Sequence, residues 1–144
     1  MRKDVNKLRK VGEMAKLVRN ALVMYSCEQM FALVNDIEAY PQFIPNCADA
    51  KCKKLNDTTL EGSLLINKAG ISKWFTTENE LVSNHLINMR LLNGPFKYLH
   101  GCWRFTPLDE QACKVELELE FEFSSKMIEL AFGKVFNHVT SNMV

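Results

Sequence analysis

The sequence predicts an α+β fold in which one curved antiparallel sheet packs around one long C-terminal helix. Three observations predict it. Short strand patterns separated by turn signals fill the middle of the 144-residue chain. A helix start follows the first strand pattern at Ser26. The C-terminal segment carries a broad apolar stripe at helical spacing, and such a stripe must be covered by another layer of the fold.

Composition is that of an ordinary globular protein of one domain, because 47% of the residues are hydrophobic and 24% are charged. No apolar run approaches the roughly 18 residues that cross a bilayer. Residues 1–13 lack the apolar stretch of a secretory signal. We therefore expect a cytoplasmic protein with at most peripheral membrane contact.

Residues 1–13 are basic, with five Lys and Arg against two acidic residues, and the remainder of the chain is slightly acidic. Such a body lacks the broad basic footprint of a DNA-binding protein, so no DNA partner is expected. We interpret residues 1–13 as a flexible leader and residues 14–144 as the folded domain.

The cysteines are odd in number and include no C-x-x-C pair, which argues against a disulfide framework and against a zinc site. We expect reduced thiols, no metal and no required cofactor. The five cysteines are Cys27, Cys47, Cys52, Cys102 and Cys113.

The first strand pattern runs over residues 17–25, and the apolar period changes at Ser26. Ser26 and Gln29 form an S-x-x-Q capping box, which predicts a helix that starts there. The helix should end near Asn35 or Asp36, because a proline-containing segment follows.

Pro41 and Pro45 bracket Phe43 in that segment. Each proline disfavours helical backbone in the residue before it, so the segment can hold at most one short helical turn that begins at Pro41. Phe43 lies where a loop can cover the mouth of a cavity. The equal alternative is that the prolines only stiffen a connection.

About six strands follow in an antiparallel meander. Residues 115–123 are the clearest strand, since apolar residues alternate with glutamates and one face must be buried while the other is solvated. The turn signals between the strands are residues 56–57, 69–70, 83–84, 93–95 and 107–109.

The terminal helix should begin after Ser124 and Ser125, either of which can cap it. A helix from about Lys126 to Val144 would be close to 30 Å long, enough to cross a full sheet. The pattern reaches Val144 without a Gly or Pro stop signal, so the helix is expected to be truncated relative to its natural length.

Several strings, in this order of elements, match a known superfamily. They are residues 33–47, residues 68–73, the pattern G-P-F-x-x-L-x-G-x-W-x-F-x-P over 94–107, residues 121–123 and residues 128–133. In these strings the chain resembles the START-like superfamily. Within that superfamily it is most similar to the family that joins bacterial ribosome association toxins to mitochondrial coenzyme-Q-binding proteins. The family has also been named oligoketide cyclase or lipid transport protein. The basic leader and the early end of the terminal helix depart from the family.

The resemblance implies a helix-grip fold with a hydrophobic cavity between sheet and terminal helix. It implies a non-enzymatic protein that binds a polyprenyl quinone, ubiquinone-like, or a lipid, and so supports respiration. The alternative that it implies is a translation inhibitor of the toxin-antitoxin type, which binds the large ribosomal subunit and blocks subunit association. A polyketide cyclase is the third hypothesis.

Alternation along the strands places Leu99, Trp103 and Phe105 on one face, and likewise Leu119, Phe121 and Phe123. A fully packed core is the alternative for each of them. The ligand-binding residues that we predict are Phe43, Phe75, Leu99, Trp103, Phe105, Leu119, Phe121, Phe123, Phe132 and Phe136.

Few polar residues suit a site, and we predict no catalytic residue. His100 should face outward, opposite to Trp103. Thr77, Asn79 and Arg90 can orient a carbonyl by hydrogen bonds, which suits binding as well as catalysis.

Trp74 should lie on the solvent face of its strand, where it is a candidate contact for a macromolecular partner. Cross-strand pairing is the alternative. The row of glutamates from Glu116 to Glu122 is a second candidate contact, for a basic surface, and otherwise serves solubility.

Overall fold

An antiparallel sheet of eight strands forms the body of the described structure, a computed structural model that describes residues 2–11, 14–68 and 70–130. Its order is β1-β2-β8-β7-β6-β5-β4-β3. The strands are β1 (Arg2–Val11), β2 (Met14–Val23), β3 (Cys47–Asn56), β4 (Thr59–Lys68), β5 (Ile71–Val82), β6 (Leu86–Asn93), β7 (Phe96–Asp109) and β8 (Ala112–Phe123). The expected α+β class is thus observed.

Two helical segments connect β2 to β3, which lies at the opposite edge of the sheet. Helix α1 (Cys27–Asn35) packs on β7 and β8, and a 3₁₀ helix (Ile37–Gln42) packs on β3. The connection therefore crosses one face of the sheet and covers it. Among the described residues, no helix has the length and apolar character needed to span a bilayer.

The N-terminal residues differ from the prediction. Arg2–Val11 form an edge strand whose residues pair with β2, for example Asp4 with Arg19. A charge pattern does not show where backbone groups can bond. Without β1, one edge of β2 would present a row of unpaired N–H and C=O groups, and β1 pairs with them. The expectation of a flexible leader is corrected for these residues. The division of the chain at residue 13 stays a prediction.

Helix α1 begins as predicted, at the capping box. The Gln29 N–H donates to the Ser26 Oγ over 3.1 Å, and the Ser26 N–H donates to the Gln29 Oε1 over 2.9 Å. The helix ends at Asn35, as expected. Strand β2 ends at Val23, two residues before the predicted end, so Met24 and Tyr25 lie between the strand and the cap.

The 3₁₀ helix corrects the prediction of a turn that begins at Pro41, since it begins at Ile37 and contains Pro41 near its end. A 3₁₀ segment needs only bonds between residues three apart. The Ala39 N–H donates to the Asp36 carbonyl over 3.2 Å and the Phe43 N–H to the Tyr40 carbonyl over 3.1 Å. Neither of these bonds uses the backbone N–H group that Pro41 lacks.

The six-stranded meander from β3 to β8 is observed, with one turn displaced. Strand β7 continues through the predicted turn at 107–109 to Asp109, and the turn lies at residues 110–111. The register with β8 shifts between Pro107 and Asp109. A bulge tolerates a proline, which cannot donate to the ladder, so the strand passes the residue that we interpreted as its end.

Strand β8 alternates as predicted. Leu117, Leu119 and Phe121 are buried, whereas Glu118 and Glu120 are exposed. A helix begins at residue 126, where the Ile128 N–H donates to the Ser125 Oγ over 3.1 Å. The described part of this helix is 126–130, and the predicted apolar positions further along lie outside the described residues.

Candidate functional site

A cavity of about 70 Å³ lies between the covered face of the sheet and the helical connection. For comparison, a water needs about 15 Å³ on this scale, and an apolar cavity of roughly 150 Å³ has held benzene. Pockets for drug-sized ligands measure about 300–1,000 Å³. The cavity therefore has room for a few waters or a small group, and a larger ligand requires that side chains move.

Four of the predicted ligand-binding residues lie on the cavity wall. They are Phe75, Leu99, Trp103 and Leu119. They come from β5, β7 and β8, whose covered faces the alternation identified. That these residues contact a ligand stays a prediction.

Three other predicted residues pack against aromatic rings and are not among the described residues of the cavity wall. Phe105 is 2% exposed and meets Phe31 of α1 edge to face, with ring centroids 5.6 Å apart. Phe121 meets Phe96 at 6.1 Å, and Phe123 stacks on Phe96 at 5.0 Å. Strand alternation predicts on which face of the sheet a side chain lies, but not which residues pack over it. Here α1 and a neighbouring strand supply aromatic rings that pack against these side chains.

Phe43 is 49% exposed and lines a second cavity of about 30 Å³. This cavity shares Val34, Tyr40 and Trp103 with the first, so those three side chains stand between the two. Leu33 is also exposed on its wall. The smaller cavity thus reaches the surface beside the larger one, where a covering loop was predicted. Phe132 and Phe136, also predicted as ligand-binding residues, lie outside the described residues.

The predicted ligand-binding residues do not include the other apolar residues on the described part of the cavity wall. The remaining apolar wall residues are Val34, Ile37, Tyr40, Gly62, Leu64, Ile87, Met89 and Leu117. Val34, Ile37 and Tyr40 follow one another at spacings of three, which is the signal that a helical connection turns one face to the sheet. The inward positions of β4 and β6 carry no signal that distinguishes a cavity wall from a core.

Two polar side chains lie on this wall. Thr77 and Asn79 are buried at 8% and 5% exposure on β5, and the Thr77 hydroxyl donates to the Asn79 Oδ1 over 2.7 Å. Arg90, the third polar candidate, is exposed instead and forms a bidentate pair with Glu78 at 3.0 and 2.9 Å. Alternation explains the difference, since Glu78 lies between Thr77 and Asn79 and its side chain points to the opposite face.

Tyr40 connects the two helical segments. Its hydroxyl donates to the Val34 carbonyl over 2.5 Å. Burial, with smaller contributions from Cys47 and Asp36, raises the pKa of Tyr40 above its ordinary value. The phenol therefore stays neutral at physiological pH and serves as a hydrogen-bond donor.

Histidines lie away from the cavity in the described structure. His85 and His100 are exposed, as the alternation predicts for His100. No group of three His, Cys, Asp or Glu side chains within residues 2–11, 14–68 and 70–130 is placed to hold a metal. That no metal or cofactor is required stays an expectation.

The opposite face of the sheet carries Trp74, which is 38% exposed as predicted. The Lys51 Nζ lies 4.7 Å from the centre of its ring, a cation–π contact between β3 and β5. The glutamate row of β8 is partly paired, with Lys97 3.4 Å from Glu122. Trp74 thus contacts a lysine two strands away in the sheet, and its ring remains accessible.

Curated proteins of similar sequence include a ribosome association toxin and a coenzyme-Q-binding protein. The chain is 58% identical over 131 residues to the "Ribosome association toxin RatA" of Vibrio cholerae serotype O1, an alignment that covers 91% of each chain. It is 24% identical over 124 residues to the mitochondrial "Coenzyme Q-binding protein COQ10 homolog B" of Xenopus laevis, covering 83% of this chain and 51% of that one.

Solved structures show the same fold. A START superfamily protein from Mycobacterium smegmatis superposes with a TM-score of 0.70 at 21% identity, over 89% of this chain and 93% of that one. The Zhui aromatase/cyclase from Streptomyces sp. R1128 superposes with a TM-score of 0.73 at 15% identity, over 90% and 92%. At these identities the likeness concerns the fold alone.

A family model described as "Polyketide cyclase / dehydrase and lipid transport" matches residues 23–144. The match spans α1, the 3₁₀ helix and the strands that build the cavity. The chain therefore belongs to the polyketide cyclase/dehydrase and lipid transport family.

Proposed function

We propose that this protein associates with the ribosome in the cytoplasm and inhibits translation. The observation that supports the proposal is the 58% identity over 91% of both chains to a relative named for ribosome association. Of the hypotheses from the sequence, this one was the alternative to quinone binding. The relative with a coenzyme Q name is far more distant, at 24% identity.

Charge on the edge strand β1 fits an RNA partner. Five basic residues and one acidic residue lie on Arg2–Val11, and this strand is the outer member of the sheet. Lysines and arginines bind RNA phosphates and release condensed counterions. We propose β1 and the Lys51–Trp74 pair as contacts, and the large ribosomal subunit as the partner.

Sedimentation tests this function. Purified full-length protein is added to ribosomes at a magnesium concentration where whole ribosomes and free subunits coexist, and the mixture is run on a sucrose gradient. We expect whole ribosomes to decrease, free subunits to increase, and the protein to sediment with the large subunit. An unchanged ratio with a folded protein at excess refutes the proposal. Serum albumin at the same concentration is the control for nonspecific effects.

A second candidate function rests on the cavity. Twelve of the 14 wall residues that the structure describes are apolar or glycine, and the remaining two are Thr77 and Asn79. An apolar cavity with a few polar groups is the usual form of a small-molecule site. We propose that it holds an apolar ligand, ubiquinone-like or lipid, without catalysis, and that such a carrier supports respiration. The outer surface and the cavity can serve different partners.

The cavity proposal has its own test. Organic extraction of the purified full-length protein, followed by mass spectrometry, identifies any molecule that copurifies, and titration with a short-chain ubiquinone measures uptake. We expect one molecule per chain. Because the cavity measures only about 70 Å³, binding must widen it, and Met89 is suited to move since its side chain is unbranched. Absence of uptake by the folded protein refutes the carrier.

A cyclase is the less supported hypothesis. The cyclase neighbour is 15% identical to this chain, and an identity that low supports no statement about activity. The histidines described here, His85 and His100, are exposed and not on the cavity wall. Turnover of a polyketide-like substrate that disappears in a Thr77 or Asn79 variant would establish an enzyme instead.

A further inference from the structure

We propose that Thr77 and Asn79 form a head-group site that selects apolar ligands carrying a hydrogen-bond acceptor, such as a ketone or quinone carbonyl. The inference rests on the proposed use of the cavity for an apolar ligand. Beyond that proposal, the inference names the chemical group that the ligand must carry and the two side chains that recognise this group.

The hydrogen bonds of the pair leave donors unused. The Thr77 hydroxyl proton is engaged with the Asn79 Oδ1 at 2.7 Å. Within the described part of the chain, the Asn79 side chain makes no other hydrogen bond, so both N–H groups of its Nδ2 are available. An amide locked through its oxygen in this way presents donors to the cavity in a fixed orientation.

Gly62 on the neighbouring strand lets the wall of the cavity pack closely beside the amide. Gly62 is the cross-strand partner of Thr77 and lies on the same cavity wall. A Cβ at position 62 would lie 3.6 Å from the Asn79 Nδ2 and 2.6 Å from the Ile37 Cδ1. The absent side chain therefore makes room for Ile37 close to the amide, and a ligand atom would approach the amide nitrogen from the cavity that these residues line.

The hydrogen bond that the buried amide needs decides which ligands are favoured at this site. A buried amide without a partner is costly, so a water or a ligand atom must meet it, and the cavity is large enough for water. A carbonyl oxygen that displaces the water restores the hydrogen bond. A hydrocarbon of the same shape displaces the water and leaves the amide unpaired. Selectivity between the two follows from this difference.

Two matched probes test the selectivity with the full-length protein. Acetophenone and isopropylbenzene have the same number of non-hydrogen atoms, and a methyl group in the second replaces the carbonyl oxygen of the first. Binding of each is measured by NMR titration in the native protein, in Asn79→Leu and in Thr77→Val. We expect Asn79→Leu to weaken acetophenone about tenfold and to leave isopropylbenzene within about twofold. Thr77→Val should act in the same direction and more weakly.

The outcomes separate this inference from the cavity proposal. If Asn79→Leu changes both probes equally, the head-group site is refuted while apolar binding stands. If neither probe binds the native protein, both fail. A measurement without variants guards against misfolding: the side-chain amide signal of Asn79 should shift with acetophenone and not with isopropylbenzene. An unshifted signal at saturation with acetophenone overturns the inference.

Discussion

The Tyr40 hydroxyl donates a hydrogen bond to the Val34 carbonyl and so ties the 3₁₀ helix to the last turn of α1. Carbonyls in the last turn of a helix have no partner within the helix, and Tyr40 supplies one from outside. Both residues also stand between the two cavities. The bond therefore stabilises α1 at the boundary between the two cavities.

Removal of this bond should loosen the contact between the two helical segments. In Tyr40→Phe, the Val34 carbonyl loses its donor, and we expect the free energy of unfolding to fall by about 1–3 kcal/mol. Entry of an apolar probe into the cavity should become faster, because α1 and the 3₁₀ helix separate more readily. Urea unfolding and stopped-flow binding measure the two effects. Tyr98→Phe, at an exposed tyrosine of β7, is the matched control and should change neither. Unchanged stability in Tyr40→Phe contradicts the role of the bond.

Phe105 should matter for stability. It is 2% exposed and contacts rings of both α1 and β7, with Phe31 at 5.6 Å and Trp103 at 6.4 Å. We expect Phe105→Ala to lower the free energy of unfolding by about 3–5 kcal/mol. Phe43→Ala is the control at a half-exposed phenylalanine and should cost about 1 kcal/mol or less. Thermal unfolding measures both, and equal losses would show that Phe105 is not part of the core.

The sequence predicted local structure well, because the relevant signals are local. Ser26 and Gln29 lie three residues apart and fix the start of α1, and the alternation over 115–123 fixes the buried face of β8. What covers each buried side chain depends on residues far away in sequence. Phe105 and Leu99 lie on the same face of β7, yet α1 fills the space above Phe105 while Leu99 borders the cavity.

The polar residues of the cavity wall were predicted only in part, again because strand pairing depends on residues far apart in the sequence. Thr77 and Asn79 were recognised as side chains able to orient a carbonyl, and they lie on the cavity wall. Arg90 was included with them, but it pairs with Glu78 on the other face. The pairing of β5 with β6 places these two residues opposite each other, and strand registers of this kind are not evident from composition or motif.

Trp74 should contribute to ribosome binding if the outer face of the sheet is the contact. Its ring is 38% exposed and its neighbour Lys51 carries a positive charge beside it. We expect Trp74→Ala to weaken sedimentation with the large subunit by about tenfold or more, since accessible tryptophans often dominate interfaces. Tyr98→Ala removes another exposed aromatic ring and is the matched control. Equal binding of the native protein and Trp74→Ala would place the contact elsewhere, with β1 as the next candidate.

Cys113 should be the least reactive of the five thiols in the folded protein. It is fully buried, and the Cys27 thiol lies against it with sulfur atoms 3.2 Å apart. Burial, together with the hydrogen bond and proximity of Cys27, raises the pKa of Cys113 from 9.0 to about 12. The thiolate is the reactive form, so iodoacetamide at pH 8 should modify Cys113 only after unfolding. Peptide mass spectrometry with and without urea measures this, and rapid modification in the native state contradicts it.

The same shift predicts how stability depends on pH. Below pH 9 the Cys113 thiol is protonated in both the folded and the unfolded chain, so it adds no pH dependence there. Between pH 9 and about 12 the unfolded chain loses this proton while the folded chain keeps it, and the free energy of unfolding must fall as pH rises. Urea unfolding at several pH values measures the slope. In Cys113→Ala the decline over this range should be shallower than in the native protein, and an identical slope would show that the thiol titrates alike in both states.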